Sequence, residues 1–337
     1  VSGYCNAGEA HCAMHDGTPL ISPGDKNSDG GDSFWKPLSL LLRRPFFSVF
    51  QPFADPSGSL ESVKSGLTII FLGGSAIGIC MPKNLELPGA LYRLFSSAIG
   101  YIYFLAWSVS FYPQIISNYK QKSTEGLSND FSVINLVGYM CYTLYTASFY
   151  WSKSIEEEYQ QRHGPDAKIT VQSNDVAFAV HALVLSFVWI AQIYYYRGFE
   201  RQSLSFLIRF LIIAIFLICS LFALLVIFQI GHFEWIDFMY LLSFFKVMIT
   251  VSKYLPQVLL NAKRKSTEGW SVWTVTLDIT GGILSLLQLA FDSMAMKDWT
   301  GVTGNLAKLA LSFVTIFFDV SCVLSVYSLD MFCASVL

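Results

Sequence analysis

Four charged side chains interrupt apolar runs long enough to cross a bilayer: Lys246, Lys253, Asp278 and Asp319. Each charge at the centre of a membrane helix costs about 2.5–3.5 kcal/mol on insertion scales, so four left uncompensated would cost on the order of 10–14 kcal/mol. They must pair, face water or hold something charged. Lys246 and Lys253 are two helical turns apart and share one face of a helix. Cations and anions gathered in one cavity suit a zwitterion; the competing reading is a set of structural ion pairs. A further acid, Asp175, follows Asn174 where an apolar run begins. It is placed to cap a helix N-terminus, to cycle a proton near the pH of an acidic compartment, or both. Asp278 and Asp319 are candidates for the same proton-coupling role. His181 titrates in that range, but a single histidine on an apolar helix reads more simply as a packed side chain.

The composition fits integral membrane protein. Of 337 residues, 53% are apolar, 16% aromatic and only 14% charged, against about 25% charged in a soluble domain. The net charge of -2 leaves no nucleic-acid footprint. The seven cysteines are scattered without a CxxC pair, so neither a zinc site nor a redox motif is expected. His11, Cys12 and His15 lie close in sequence but are not read as a metal site. With no nucleophile–base pair either, no enzyme and no cofactor are expected.

Uncharged runs cover 94–119, 131–152, 176–196 and 210–230, and stretches 238–262, 271–291 and 309–329 are long enough despite internal charges. That predicts an all-α membrane protein with seven spans. Lys120, Lys122, Arg197, Arg201, Arg209, Lys263, Arg264 and Lys265 collect on one side, whereas basic residues on the other are outnumbered by acids. The first side and the tail 331–337 are therefore expected to be cytosolic. Residues 1–64, rich in Gly, Ser, Asp and Pro, read as a loosely structured extramembrane arm. Residues 65–82 form an uncharged run of 18 with four glycines; it is either an extra span or a buried piece of an N-terminal domain. The organisation expected is thus an arm over 1–90, a seven-helix domain over 91–330 and a short tail. Asp16 with Leu20 and Ile21 forms an acidic dileucine pattern of the kind sorting adaptors read, chance being the competing reading. The chain begins at Val1 without methionine, which leaves any preceding signal peptide open.

A stretch that occurs twice organises these spans. Residues 113–128, PQIISNYKQKSTEGLS, recur as PQVLLNAKRKSTEGWS at 256–271, with ten of sixteen positions identical, against roughly one in sixteen by chance. Each copy runs from an apolar segment into a basic turn. The first span thus maps onto the fifth, the halves are spans 1–3 and 5–7, and an odd fourth span lets the halves run parallel, a 3+1+3 arrangement. Internal repeats of this kind mark transporters whose site lies where the halves meet. Pro113 and Pro256 each remove a helix hydrogen bond beside a glutamine, Gln114 or Gln257, which makes them candidate hinges and a cytosolic gate. The same offset pairs Asn135 with Asp278, Gly138 with Gly281, Phe111 with Tyr254 and Ser110 with Lys253.

Pro-Gln pairs on the first and fifth of seven spans resemble the PQ-loop (SWEET-like) transporters, and within them the proton-coupled cystine exporters of the lysosome. The segments AWSVSFYPQ (106–114), NDVAFAVHA (174–182), KYLPQ (253–257), KSTEGWS (265–271), LDITGG (277–282) and FFDV (317–320) carry the resemblance, which covers 95–328. It implies a substrate cavity lined by Trp107, Phe111, Asn135, Lys246, Lys253, Asn261 and Asp278, with Tyr254 the mirror of Phe111, and Asp175 as the favoured coupling acid. Thr274 stands where the family has asparagine; a hydroxyl still donates and accepts. Residues 1–90 match nothing in the family and lack its glycosylation sequons. The function implied is export of L-cystine with protons from an acidic lysosome or vacuole to the cytosol, by alternating access. The rivals are a related carrier of cationic amino acids or another small zwitterion, and a membrane receptor or scaffold that binds without transporting.

Overall fold

The computed structural model describes the backbone of residues 60–124, 129–197, 204–264, 272–299, 302 and 305–334, and their side chains except at 60, 117, 197, 253–264, 272, 274 and 321–334. Residues 1–59, which carry the dileucine pattern and His11, Cys12 and His15, lie outside the described residues, as do most of the two KSTEG turns.

Every described element is helical. α1 is Leu60–Cys80, and the first span is α2 (Ala90–Val109) continued by α3 (Tyr112–Gln121). α4 (Asn129–Trp151) is the second span, α5 (Lys153–His163) a surface helix, and α6 (Ser173–Arg197) the third span. α7 (Phe206–Ile227), α8 (Trp235–Arg264), α9 (Val272–Met296) and α10 (Leu306–Ala334) are the fourth to seventh. Among the described residues six helices are long and apolar enough to cross a membrane: 61–80, 90–121, 173–196, 206–227, 235–252 and 275–296. α4 is as long but less apolar, because Ser132, Asn135, Tyr139, Tyr142, Tyr145 and Thr146 are turned into the protein. α7 is the reverse case, almost wholly exposed and built from Leu, Ile and Phe.

Six spans close a ring. α2 touches α6, α6 touches α4, α4 touches α8, α8 touches α10, α10 touches α9, and α9 returns to α2. Under the 143-residue offset this order maps onto itself, so each half is a three-helix bundle with its third helix in the middle. The bundles meet along α2–α9 and α4–α8. Small residues set both seams. A methyl at Gly281 would stand 2.5 Å from the Trp107 indole, and one at its mirror Gly138 would stand 3.1 Å from Ile249. The ring interior is packed by aromatic side chains, including Tyr103, Trp107, Tyr139, Tyr142, Tyr145 and Phe178. That packing stands where an open cavity was expected.

The uncharged run at 65–82 is helical, and its Phe71, Leu72 and Ile79 are exposed. It is therefore not a buried piece of a domain. α1 runs antiparallel to α2: Gly74 meets Ile102, Gly78 meets Ala98, and Ser97 Oγ donates to the Gly78 carbonyl at 2.8 Å. The loops after α1, α4, α7 and α9 gather on one face, here the distal face, where Lys168 pairs with Glu86, its backbone N–H reaches Asp298, and Arg162 reaches Glu234. On the distal face Arg162 of α5 bridges Glu234 (2.7 Å) and Asp237 (2.5 Å) at the start of α8.

Candidate functional site

A buried polar cluster ties the two bundles together at the distal face. Asp175 lies in the first turn of α6, where its Oδ2 accepts the Gln172 backbone N–H at 2.8 Å. This is the reach-back of a capping box. Its other oxygen binds Lys308 Nζ of α10 at 2.9 Å, and both side chains are only 1% exposed. The Tyr103 hydroxyl also donates to Asp175. Lys308 further donates to Gln288 Oε1 at 2.6 Å and lies 4.9 Å from the Tyr103 ring centroid. Gln288 Nε2 donates to the Ser96 carbonyl at 2.8 Å, and Asn174 Nδ2 donates to Tyr103 at 2.7 Å. Asp175 is thus cap and ion-pair partner together. The amides reach one another because position 100 is glycine, where any methyl would overlap Gln288 and Asn174.

Deeper in the ring stand the residues expected to hold substrate. Lys246, 2% exposed, places Nζ 3.5 Å from the Tyr139 ring centroid, a cation–π contact. Asp278 is half-buried on α9, in the other bundle. Asn135 is buried one turn before Tyr139, its Oδ1 without a hydrogen-bond partner among the described residues. Trp107 Nε1–H donates to the Asp278 carbonyl at 3.2 Å, and its indole packs on Tyr103 and Phe178. Trp107 and Tyr103 thus connect the distal Asp175–Lys308 cluster, a clamp between the bundles, to this level. Phe111 sits between Tyr139 and Trp189. Asp319 is buried on α10, and His181 is packed against Phe104 and Tyr112. The side chains of Lys253, Tyr254, Pro256, Gln257, Asn261 and Thr274 lie outside the described residues.

The two proline motifs differ. The first span is interrupted at Ser110 and Phe111, and Pro113 opens α3. Gln114 donates to Asn118 at 2.8 Å, Asn118 to Gln192 at 2.9 Å, and Gln192 to the Ile115 carbonyl at 3.0 Å. α8 instead runs through Pro256 as one helix.

Comparison with known proteins places this architecture. The PQ loop repeat matches residues 95–155 and 238–294, once in each half. Cystinosin of Bos taurus is 40% identical over 286 residues, 83% of this chain and 76% of that protein. The chain belongs to the cystinosin family. A cystinosin homolog of Dictyostelium discoideum is 40% identical over 237 residues, 70% of this chain and 81% of its own. A protein of Saccharomyces cerevisiae named as a cystine transporter is 29% identical over 237 residues, 66% and 88% of the two chains. These cystinosin relatives carry a transporter's name, not an enzyme's, and this chain is a multi-pass membrane protein like them.

Lys308, Gln288, Asp292, Gln172 and Tyr103 were not found from sequence. Counting uncharged runs ended the sixth span at 291 and began the seventh at 309, so Asp292 and Lys308 fell one residue outside. A charge at each end of neighbouring apolar runs was the available signal.

Proposed function

We propose that this cystinosin-family chain carries L-cystine with protons from an acidic lysosomal or vacuolar lumen to the cytosol by alternating access. The distal face is then lumenal, and the basic turns and C-terminus are cytosolic. The observation that carries the reading is the buried Lys308–Asp175 pair, which joins the third span of one bundle to the seventh span in the other. A titratable bond between two rocking bodies is what links proton to motion. When the clamp opens, Asp175 and Lys308 separate and both meet lumenal water, from which Asp175 can take a proton. As the lumenal face closes, the pair re-forms and that proton passes inward toward Asp278 and Asp319.

Cystine bears two ammonium and two carboxylate groups. Lys246 and Lys253 would meet the carboxylates, Asp278 an ammonium, and Asn135, Asn261 and Thr274 the remaining donors and acceptors. Trp107, Phe111 and Tyr254 would flank the disulfide. The rings now filling the interior must move for cargo to enter, and the interruption at Ser110–Phe111 lies where the first span can bend, with Pro113, Gln114, Pro256 and Gln257 at the cytosolic gate. α1 adds a crossing antiparallel to the first span, which on this reading would leave Leu60 on the cytosolic side.

The test is uptake of labelled cystine into proteoliposomes, with current recorded across an acid gradient. We expect acid-driven, electrogenic flux that Asp278→Asn abolishes; near wild-type flux in that variant would remove Asp278 from the site. Equal competition by lysine and arginine would instead indicate a cationic amino-acid carrier, and binding without flux a receptor.

A further inference from the structure

Two buried carboxylates share one buried cation at the distal clamp. Asp292, near the end of α9, is 1% exposed. Its Oδ2 accepts from Gln172 Nε2, and the Gln172 backbone N–H in turn serves Asp175. Its Oδ1 has no hydrogen-bond partner among the described residues. The groups that act on it are Ser96 on α2, Gln172 just ahead of α6, Asp175 on α6 and Lys308 on α10. Of these only Lys308 is a cation, and its ammonium is engaged by Asp175 and Gln288. Lys168 on the same face pairs with Glu86, and Arg93 donates to the Leu85 and Leu87 carbonyls. The cluster is therefore electrically neutral only with one proton on it. A lone buried carboxylate takes up a proton rather than remain charged.

We propose that Asp292 is a second titrating acid of this chain, one that holds a proton whenever Asp175 is paired with Lys308. It deepens the reading above and rests on its premise that the clamp opens to the lumen. As the clamp closes, a proton from lumenal water joins the Asp292 carboxylate, forming an O–H bond on the oxygen that otherwise lacks a partner. As it reopens, that proton returns to lumenal water. Asp292 thus makes closure sensitive to lumenal pH without adding a transported proton. One proton taken up on closure changes the closure constant by about tenfold per pH unit where the open-state acid is ionised.

The test reads closure directly. A cysteine replacing Thr170, buried on this face, is labelled from the lumenal side of proteoliposomes with an impermeant maleimide between about pH 5 and about pH 7, against the unsubstituted chain as background. Asp292→Asn is expected to protect the cysteine more at neutral pH, tilting the pH dependence by about tenfold per unit relative to the parent. Asp292→Glu should restore the parent slope. Charge moved per cystine should be unchanged in Asp292→Asn. Superimposable pH curves would overturn the proposal, and so would a lower charge-to-cystine ratio, which would make Asp292 a carrier of transported protons. If the Asn variant does not fold, Asp292→Gln, equally neutral, makes the same measurement. Labelling needs no cargo: failure of wild-type cystine flux would count against the proposed function, while an absent tilt counts against Asp292 alone.

Discussion

Lys308, 1% exposed, is held by a carboxylate, an amide and an aromatic ring. Removing one partner of a buried pair leaves the other charged and unsolvated, which costs about 3–5 kcal/mol. Lys308→Met should therefore lower the melting temperature of the detergent-solubilised protein. Adding Asp175→Asn removes the orphaned charge and should recover much of that loss while leaving transport uncoupled from pH. A double-mutant cycle by thermal melt and acid-driven flux checks both; additive losses would mean that the pair is not coupled. From sequence, Asp175 was legible as cap or coupling acid because NDVAF stands at a helix start. Its partner was not, since residue type shows that a buried charge needs compensation and not which residue supplies it.

At the scale of elements, the repeat reappears as two seams with a glycine at equivalent positions. They are not equally tight. Gly281 faces the rigid indole of Trp107 at 2.5 Å, whereas Gly138 faces an isoleucine methyl at 3.1 Å. Gly281→Ala should therefore cost more than Gly138→Ala, on the order of 1–3 kcal/mol for overpacking, and should displace Trp107 from the Asp278 carbonyl. Comparing the two variants by thermal melt and tryptophan emission checks this; equal effects would contradict the seam geometry. The break before Pro113 was anticipated from its missing N–H. The continuous path of α8 through Pro256 was not, because the same dipeptide in two tertiary settings need not bend its helix alike.

For the molecule as a whole, the proposed rocking requires the ring of six helices, clamped at one face, to separate there for cargo to pass. Tyr92 of α2 and Phe291 of α9 pack across the seam there, ring centroids 5.6 Å apart. A Tyr92→Cys/Phe291→Cys pair, once oxidised, should stop flux, and reductant should restore it. Unimpaired flux in the cross-linked protein would exclude rocking at this seam. That the chain is an all-helical membrane protein, its duplicated halves and its charges needing partners were all determined by the sequence alone. Hydrophobic length, repetition and the cost of burying an ion are properties of the chain itself. Which lysine meets which aspartate, and that aromatic rings fill the ring interior, only the tertiary structure decided. Asp175 and Lys308 come from different bundles, and their meeting depends on how helices turn and slide against one another, which one segment's periodicity does not encode.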